Sequence, residues 1–506
     1  MLKVSAALLC IILLSLSTVT QEAHEHGVPE QLGTVSFPTS CSAQVQASLE
    51  RAVALLHSFA YSAAEGAFRD VAEKDPQCAM AHWGIAMSYF HQLWDPPIPS
   101  SKMEPGHLEM ERAQQIGGGS ARERGFIGAL GLVYAPDPKL TYQSRLHSYT
   151  DAMQKLAAGN PRDVESQVFY ALALLASAPP TDKTHAYQKR AVVVLQPLYD
   201  LHPQHPGLAH YLIHACDNAE MAREGLPAAQ AYAKIAPSTP HALHMPSHIF
   251  TRLGMWDDSI RSNLAAQAAA RQQGDTGEEL HAMDYLVYAY LQNGQDTQAA
   301  EVIQQLKWMP ELNRGDFKAG YAATAMPVRY AVERQQWAEA AAIEPPSSTA
   351  PHVIAIAVWA RGLGLARTGH VGDARAQAAT LQQLEDQLRK LGRDYWAGQV
   401  DIQRLEVLAW TSKAEGKSDE ALALLRQAAD TEDAVEKLPV TPGPIVPARE
   451  QLGDLLLQLK QPQMALKEFQ VSLQNAPGRR GAMLGAARAT QLAELADKGN
   501  ATSSGR

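Results

Sequence analysis

A helix, a turn residue and a small residue five positions later recur along most of this chain, and that recurrence restricts the fold more than any other feature. The segments HALHMPSHIFTRLGMWDDSIRSNLAA, HAMDYLVYAYLQNGQDTQAAEVI, VWARGLGLARTGHVGDARAQA, EVLAWTSKAEGKSDEALALLRQA and EQLGDLLLQLKQPQMALKEFQVSLQNAP all carry it. Their turns fall at Gly254, Gly294, Gly369, Gly416 and Lys460, and Ser259, Ala299, Ala374, Ala421 and Ala465 follow. Glycine suits the left-handed residue that ends a helix, and a small residue on the next helix lets the two pack closely. Ala52, Ala64, Phe68 and Pro76 repeat the theme within residues 45–78. No segment alternates apolar and polar residues as a strand would, and the apolar runs keep helical spacing.

These units resemble tetratricopeptide repeats, whose period is about 34 residues of helix-turn-helix. The resemblance covers about residues 45–490, with irregular repeats between Gly117 and Pro206. It implies an all-α fold, an α-solenoid of tetratricopeptide-like helix-turn-helix repeats. One helix pair cannot bury its apolar stripe alone, so neighbours stack, the core runs lengthwise, and a concave face lined by first helices is left open. The chain is similar to exported bacterial tetratricopeptide-repeat proteins, which implies a protein or peptide partner, or a small ligand, in the concave groove and names no reaction. The expected organisation is a signal peptide at 1–23, an arm at 24–44, repeats at 45–116, irregular helical repeats at 117–205, a His-rich centre at 206–345, C-terminal repeats at 346–497 and a disordered tail at 498–506.

Export is expected from the first residues. Met1-Leu2-Lys3 precedes an apolar run from Val4 to Leu16 and then a polar stretch to Ala23, the pattern of a secretory signal. Nothing later reaches the length of apolar chain that spans a bilayer, so no membrane span is expected in the mature chain. Lys and Arg number 44 against 53 Asp and Glu, a net charge of −9, which argues against a protein built to coat nucleic acid. The 4 cysteines show no C-x-x-C spacing, so any metal must be held by His and carboxylates. In an oxidising compartment Cys41 and Cys78 can pair, subject to geometry.

Histidine sets this array apart from a generic one. Six of the 18 lie between His210 and His281, where an even spread would place about 2.6. His210 and His214 stand at i and i+4 with Asp217 three residues on, and His241, His244 and His248 share a second helical face. His244 and His248 follow His210 and His214 by 34 residues each, one repeat length. His241, His244 and His248 lie 13, 10 and 6 residues before Gly254, and His281, Asp284 and Tyr288 lie 13, 10 and 6 before Gly294. In tetratricopeptide repeats such offsets fall on the groove-facing side of the first helix, which is what the resemblance implies here.

Two His one helical turn apart can grip one metal ion, and pairs from neighbouring helices supply four ligands without ordering a loop. The expected metal ligands are therefore His210, His214, His244 and His248. Asp217, His241, His281, Asp284, Tyr288 and Arg329 are expected to line the groove or orient the ligands. Imidazole suits a divalent transition metal such as zinc, copper, iron or nickel. Two other readings stand beside this one: a metal-free protein-protein interaction scaffold, and a metal-dependent enzyme whose substrate the residues do not name. Cys216 is about 200° from His214 around its helix and belongs to the packing side. His241 also reads as a solvated helix-start residue, and Pro246 as a kink between His244 and His248. His24 and His26 offer a possible N-terminal copper chelate, His91 with Trp94 a possible loop pocket, and His82 a core or rim residue, while His57 and His147 carry no partner signal. G-x-S-x-G, H-E-x-x-H and G-x-x-x-x-G-K-[ST] are all absent.

Overall fold

A computed structural model describes residues 30–94, 97–309, 312–313, 315–347 and 349–503, with side chains as far as 496. The signal peptide, His24, His26 and the start of the arm lie outside the described residues. Within them the chain is all-α, with no strand, and successive helices pack as antiparallel neighbours from helix Gln46–His57 to helix Arg480–Ser503. It is an α-solenoid of tetratricopeptide-like pairs. The repeat turns behave as their residues require: Gly254, Gly294, Gly369 and Gly416 have φ of 68°, 74°, 86° and 81°, and Lys460 adopts the same left-handed state at 60°.

Close pairing depends on small residues. A Cβ on Gly84 would lie 2.2 Å from the Phe68 ring, so helix Ala79–Met87 reaches helix Tyr61–Lys74 only because that position lacks a side chain. Ser259, Ala299, Ala374, Ala421 and Ala465, the small residues that follow each turn, are all fully buried. Pro246 does not break its helix outright. Helices Pro240–His244 and Pro246–Arg252 are joined by Met245 at φ −52° and ψ −37°, so the chain bends while staying helical.

The described part of the arm, from residue 30, docks on the solenoid. Phe37 is fully buried and stacks on Trp83 at 5.5 Å, the Thr34 amide donates to the Gln204 carbonyl at 2.8 Å, and Cys41 is bonded to Cys78 with Cα atoms 4.7 Å apart.

The superhelix also closes on itself. Trp256 Nε1 donates to the Gly478 carbonyl at 3.0 Å, and the loop 434–447 lies against the His-rich helices, with Pro439 and Val440 beside His214, His241, His248 and His281. In that loop the Glu436 amide donates to the Pro180 carbonyl at 2.7 Å, and Lys437 pairs with Asp217 at 2.7 Å. One expectation is thereby corrected: the concave face near the His-rich helices is not open, because this loop fills it.

Candidate metal centre

Three stretches of helix present the imidazoles. Helix Pro206–Cys216, started by Pro206 and by His205 Nδ1, which accepts from the Leu208 amide, carries His210 and His214. The bent pair Pro240–His244 and Pro246–Arg252 carries His241, His244 and His248. Helix Thr276–Gln292, capped by Asp275, carries His281. The stacking of repeats brings all six rings into one chain of contacts. Centroids are 4.8 Å apart for His210 and His214, 5.1 Å for His210 and His241, 5.0 Å for His244 and His248, and 4.3 Å for His244 and His281.

The rings are buried rather than groove-exposed. His210, His241, His244, His248 and His281 are all at or below 3% exposure, and both ring nitrogens of the partly buried His214 are shielded from solvent. Phe59, Trp94, Pro439 and Val440 cover them. His241 is therefore not a solvated helix-start residue. The four expected ligands also do not form a set of their own. Ligand nitrogens of His210, His214 and His241 lie within 4.8 Å of one another, as do those of His244, His248 and His281. Each i, i+4 pair is thus completed by a third imidazole from the following repeat: His241 for the first, and His281 for the second.

Hydrogen bonds fix which nitrogen points inward. His210 Nδ1 donates to the His57 carbonyl at 2.6 Å, and His241 Nδ1 faces the Glu278 carboxylate at 3.3 Å. His248 Nδ1 faces Asp217 at 2.9 Å, and His244 Nδ1 faces Asn263 Oδ1 at 2.6 Å. The amide of Asn263 cannot be turned round without loss, because its Nδ2 donates to the Ser259 carbonyl at 2.8 Å. All four Nδ1 atoms therefore carry the proton, and all four Nε2 atoms present lone pairs to the interior. His244 Nε2 and His248 Nε2 then stand 3.0 Å apart with a lone pair on each. The Tyr285 hydroxyl, 3.5 Å from His248 Nε2, can answer one of these lone pairs but not both, so the contact is repulsive unless a cation lies between the rings. Burial opposes the simplest cation, a proton: it pushes His244 well below the usual imidazole range with help from His281 and His248, and it lowers His248 against the pull of Asp217.

The carboxylates beside the rings stay ionised. Burial works against Asp217, but Lys437 and Arg252 hold it well below the usual carboxylate range, and Lys318 and His241 do the same for Glu278. Acceptors that grip the outer nitrogen of a metal-bound imidazole are the usual partners of such ligands. Asp217 sits in such a place, against the outer nitrogen of His248. Asn263 and Glu278 hold the outer nitrogens of His244 and His241 in the same way, and Lys437 pairs with Asp217; none of the three was legible in the sequence, apart from the oddity of an Asn in an alanine-rich helix.

Asp284, Tyr288 and Arg329 do not join the imidazoles. Asp284 faces Arg329 Nε at 3.6 Å, Arg329 lies over the Tyr288 ring at 4.8 Å, and the Tyr288 hydroxyl accepts from Arg479 at 3.2 Å. All three are buried, in a layer beside the cluster. Asp284 and Tyr288 share the helix of His281 but stand about one and two turns past it, where their neighbours are arginines: Arg329, on helix Phe317–Glu333, and Arg479.

A third His-carboxylate group shows the contrast. His57 and His205 each put Nε2 on Glu165, at 2.8 and 2.9 Å, while His57 Nδ1 meets the Tyr211 hydroxyl and His205 Nδ1 accepts the Leu208 amide. No lone pair is left over, so this group is complete as a buried hydrogen-bond network around the Glu165 carboxylate. It also gives His57 the partner that its own neighbourhood did not announce. His82 is a rim residue bonded to Glu109 at 2.6 Å, and Cys216 is buried on the packing side. Among the described residues no helix is long and apolar enough to cross a membrane.

No family model matches the sequence, and no curated protein matches it. Solved structures of repeated helices do. The chain is similar to the APC/C Cut9-Hcn1 hetero-tetramer at 12% identity and a TM-score of 0.36, over 90% of this chain and 78% of that one. It is similar to the human IFIT1 dimer with m7Gppp-AAAA at 11% and 0.37, over 82% and 90%, and to yeast Tom70 at 10% and 0.33, over 88% of each. With identities and TM-scores this low, the chemistry of the cluster rests on its own geometry.

Proposed function

We propose that the protein is an exported helical-repeat binding protein that holds a transition metal in its buried imidazole cluster. The observation that carries this is the 3.0 Å approach of His244 Nε2 to His248 Nε2, two rings whose Nδ1 atoms each face an acceptor, Asn263 Oδ1 and Asp217. Two nitrogens bound to one tetrahedral ion at about 2.0–2.1 Å stand roughly 3.3 Å apart, so this pair is nearly set for a shared ion. The other unpartnered nitrogens, on His210, His214, His241 and His281, point the same way. An all-imidazole donor set favours zinc, copper, iron or nickel over magnesium or calcium. Export is supported by the apolar N-terminal run and by the Cys41–Cys78 disulfide, a bond typical of oxidising compartments.

The test is elemental analysis of full-length protein purified without a metal-affinity step, beside the double variant His244→Gln and His248→Gln. The wild type is expected to carry a transition metal in stoichiometric amount and the variant markedly less. Equal contents in the two samples overturn the reading.

A second reading, interaction through the groove without a metal, is favoured by a separate observation. The C-terminal half holds a cavity of about 350 Å³ whose walls include Tyr321, Trp359, Tyr395, Trp396 and Glu432. Aromatic walls with a few polar groups suit a peptide or a small ligand. A partner that stays bound after chelation belongs to this cavity rather than to the cluster.

A further inference from the structure

Six imidazoles are more than one ion can use. With bonds of about 2.0–2.1 Å, ligands of a single ion lie within about 4.2 Å of one another. The six nitrogens do not meet that limit as one group; they fall into two trios, each already within 4.8 Å and so needing only small ring shifts to close. An ion in the trio of His244, His248 and His281 leaves the other trio unanswered. His210 Nε2, His241 Nε2 and both nitrogens of His214 would remain buried without a partner, which is costly for polar atoms in an interior.

From this we infer that the cluster is a dinuclear centre, with one ion on His210, His214 and His241 and a second on His244, His248 and His281, a reading that rests on the metal-binding proposal above. The trios touch, with ring centroids 5.9 Å apart for His214 and His248 and 6.0 Å for His241 and His244. Between them lies a small cavity whose walls include His214 and His241 from one trio and His248 and His281 from the other, with room for about one water-sized body. Three protein ligands leave each ion an open position, and both open positions face this cavity. Its occupant is a bridging water or hydroxide, shared by the two ions and shielded by Phe59, Trp94 and Val440.

The test loads full-length protein with Cu(II), removes the excess, and measures copper per chain together with the electron paramagnetic resonance of the bound ions. His214→Gln is the variant for the first trio, because that ring makes no hydrogen bond whose loss would disturb the fold; His281→Gln serves the second. The wild type is expected to hold two coppers whose resonance is largely quenched by coupling through the bridge. Each variant is expected to hold one, with the full signal of an isolated ion. No copper in the wild type overturns the metal reading itself. One copper in the wild type, removed by either variant, leaves that reading standing and overturns the dinuclear one. Two coppers that both give full signals, or variants that lose neither ion or both, overturn it as well. The wild-type measurement decides the matter even if a variant fails to fold.

Discussion

Asn263 decides which face of His244 the cluster meets. Its Oδ1 accepts from His244 Nδ1 at 2.6 Å, and the whole residue is buried in the Ala-rich helix Trp256–Gln273. Replacing it with a leucine of similar size leaves the imidazole N–H buried and unpaired, a loss of about 1–3 kcal/mol. It also frees the ring to change tautomer and turn its lone pair outward. Asn263→Leu is therefore expected to weaken metal binding by about 10–100-fold, whereas Asn263→Asp keeps the acceptor and keeps the ion. Competition against a chelator of known affinity checks this, and equal affinity in Asn263→Leu and wild type would show that the tautomer is held some other way. The histidines themselves were legible because their spacing is a property of one helix or one repeat. Their partners were not, since Asn263 and Glu278 lie on other helices and meet the rings only through the register of stacked repeats. The same limit conceals the third imidazole of each trio: by sequence His241 reads as a solvent-facing helix start, and in the fold Phe59 and Trp94 cover it.

At the scale of the helix pair, glycine separates two physical effects. Gly364 and Gly398 both sit inside long helices, Pro351–Arg367 and Asp394–Ala414. A Cβ at Gly364 would come within 2.3 Å of the Ala341 amide nitrogen and 2.5 Å of the Trp337 carbonyl, both backbone atoms of the short helix packed against it. A Cβ at Gly398 would meet nothing within 4 Å. Gly364→Ala is thus expected to cost about 1–3 kcal/mol by overpacking. Gly398→Ala is expected to gain up to about 1 kcal/mol, because alanine restricts the unfolded chain and fits a helix better. Urea denaturation midpoints test the pair, and shifts of the same sign would contradict it. The turn glycines could be read from the sequence because they recur at a fixed offset. Gly364 carries no such mark, since its need for a bare Cα is set by how closely the next helix approaches.

The whole molecule departs from a simple one-dimensional stack, in which each repeat feels only its neighbours. Arg479, fully buried, binds Glu333 at 3.0 Å, Glu450 at 2.9 Å and the Tyr288 hydroxyl at 3.2 Å, joining helices far apart in the chain. The loop 434–447 ties the same C-terminal half back to Asp217 beside the imidazoles. Next to that loop, burial raises Glu406 well above the carboxylate range with Glu432 adding to it, and burial with Asp433 brings Glu432 up to about 8. The sign of the resulting pH dependence follows from proton counts. Below pH 6.5 the unfolded chain binds protons that folded His91 and His352 refuse, their values being pushed by burial to about 4 and about 3, so stability rises with pH there. By about pH 7.5, a unit above the unfolded value, those histidines are neutral in both states. Folded Glu432 still holds a proton that the unfolded chain released near its ordinary 4.5, so the stability it contributes is lost as pH rises towards 8. One such group contributes a slope of at most about 1.4 kcal/mol per pH unit. Metal-free protein in chelator is therefore expected to carry a Glu432-dependent decline in stability between pH 6.5 and 8, set against the opposite contribution of the buried imidazoles of the cluster, which the unfolded chain still partly protonates up to about pH 7.5. Glu432→Gln keeps a carbonyl oxygen for the Ala448 amide, which donates to Glu432 at 2.8 Å, and is expected to flatten that decline. Denaturation midpoints across this range decide it: parallel declines in wild type and variant would mean that Glu432 is already ionised in the fold, and that the loop closes over charge rather than over a neutral acid.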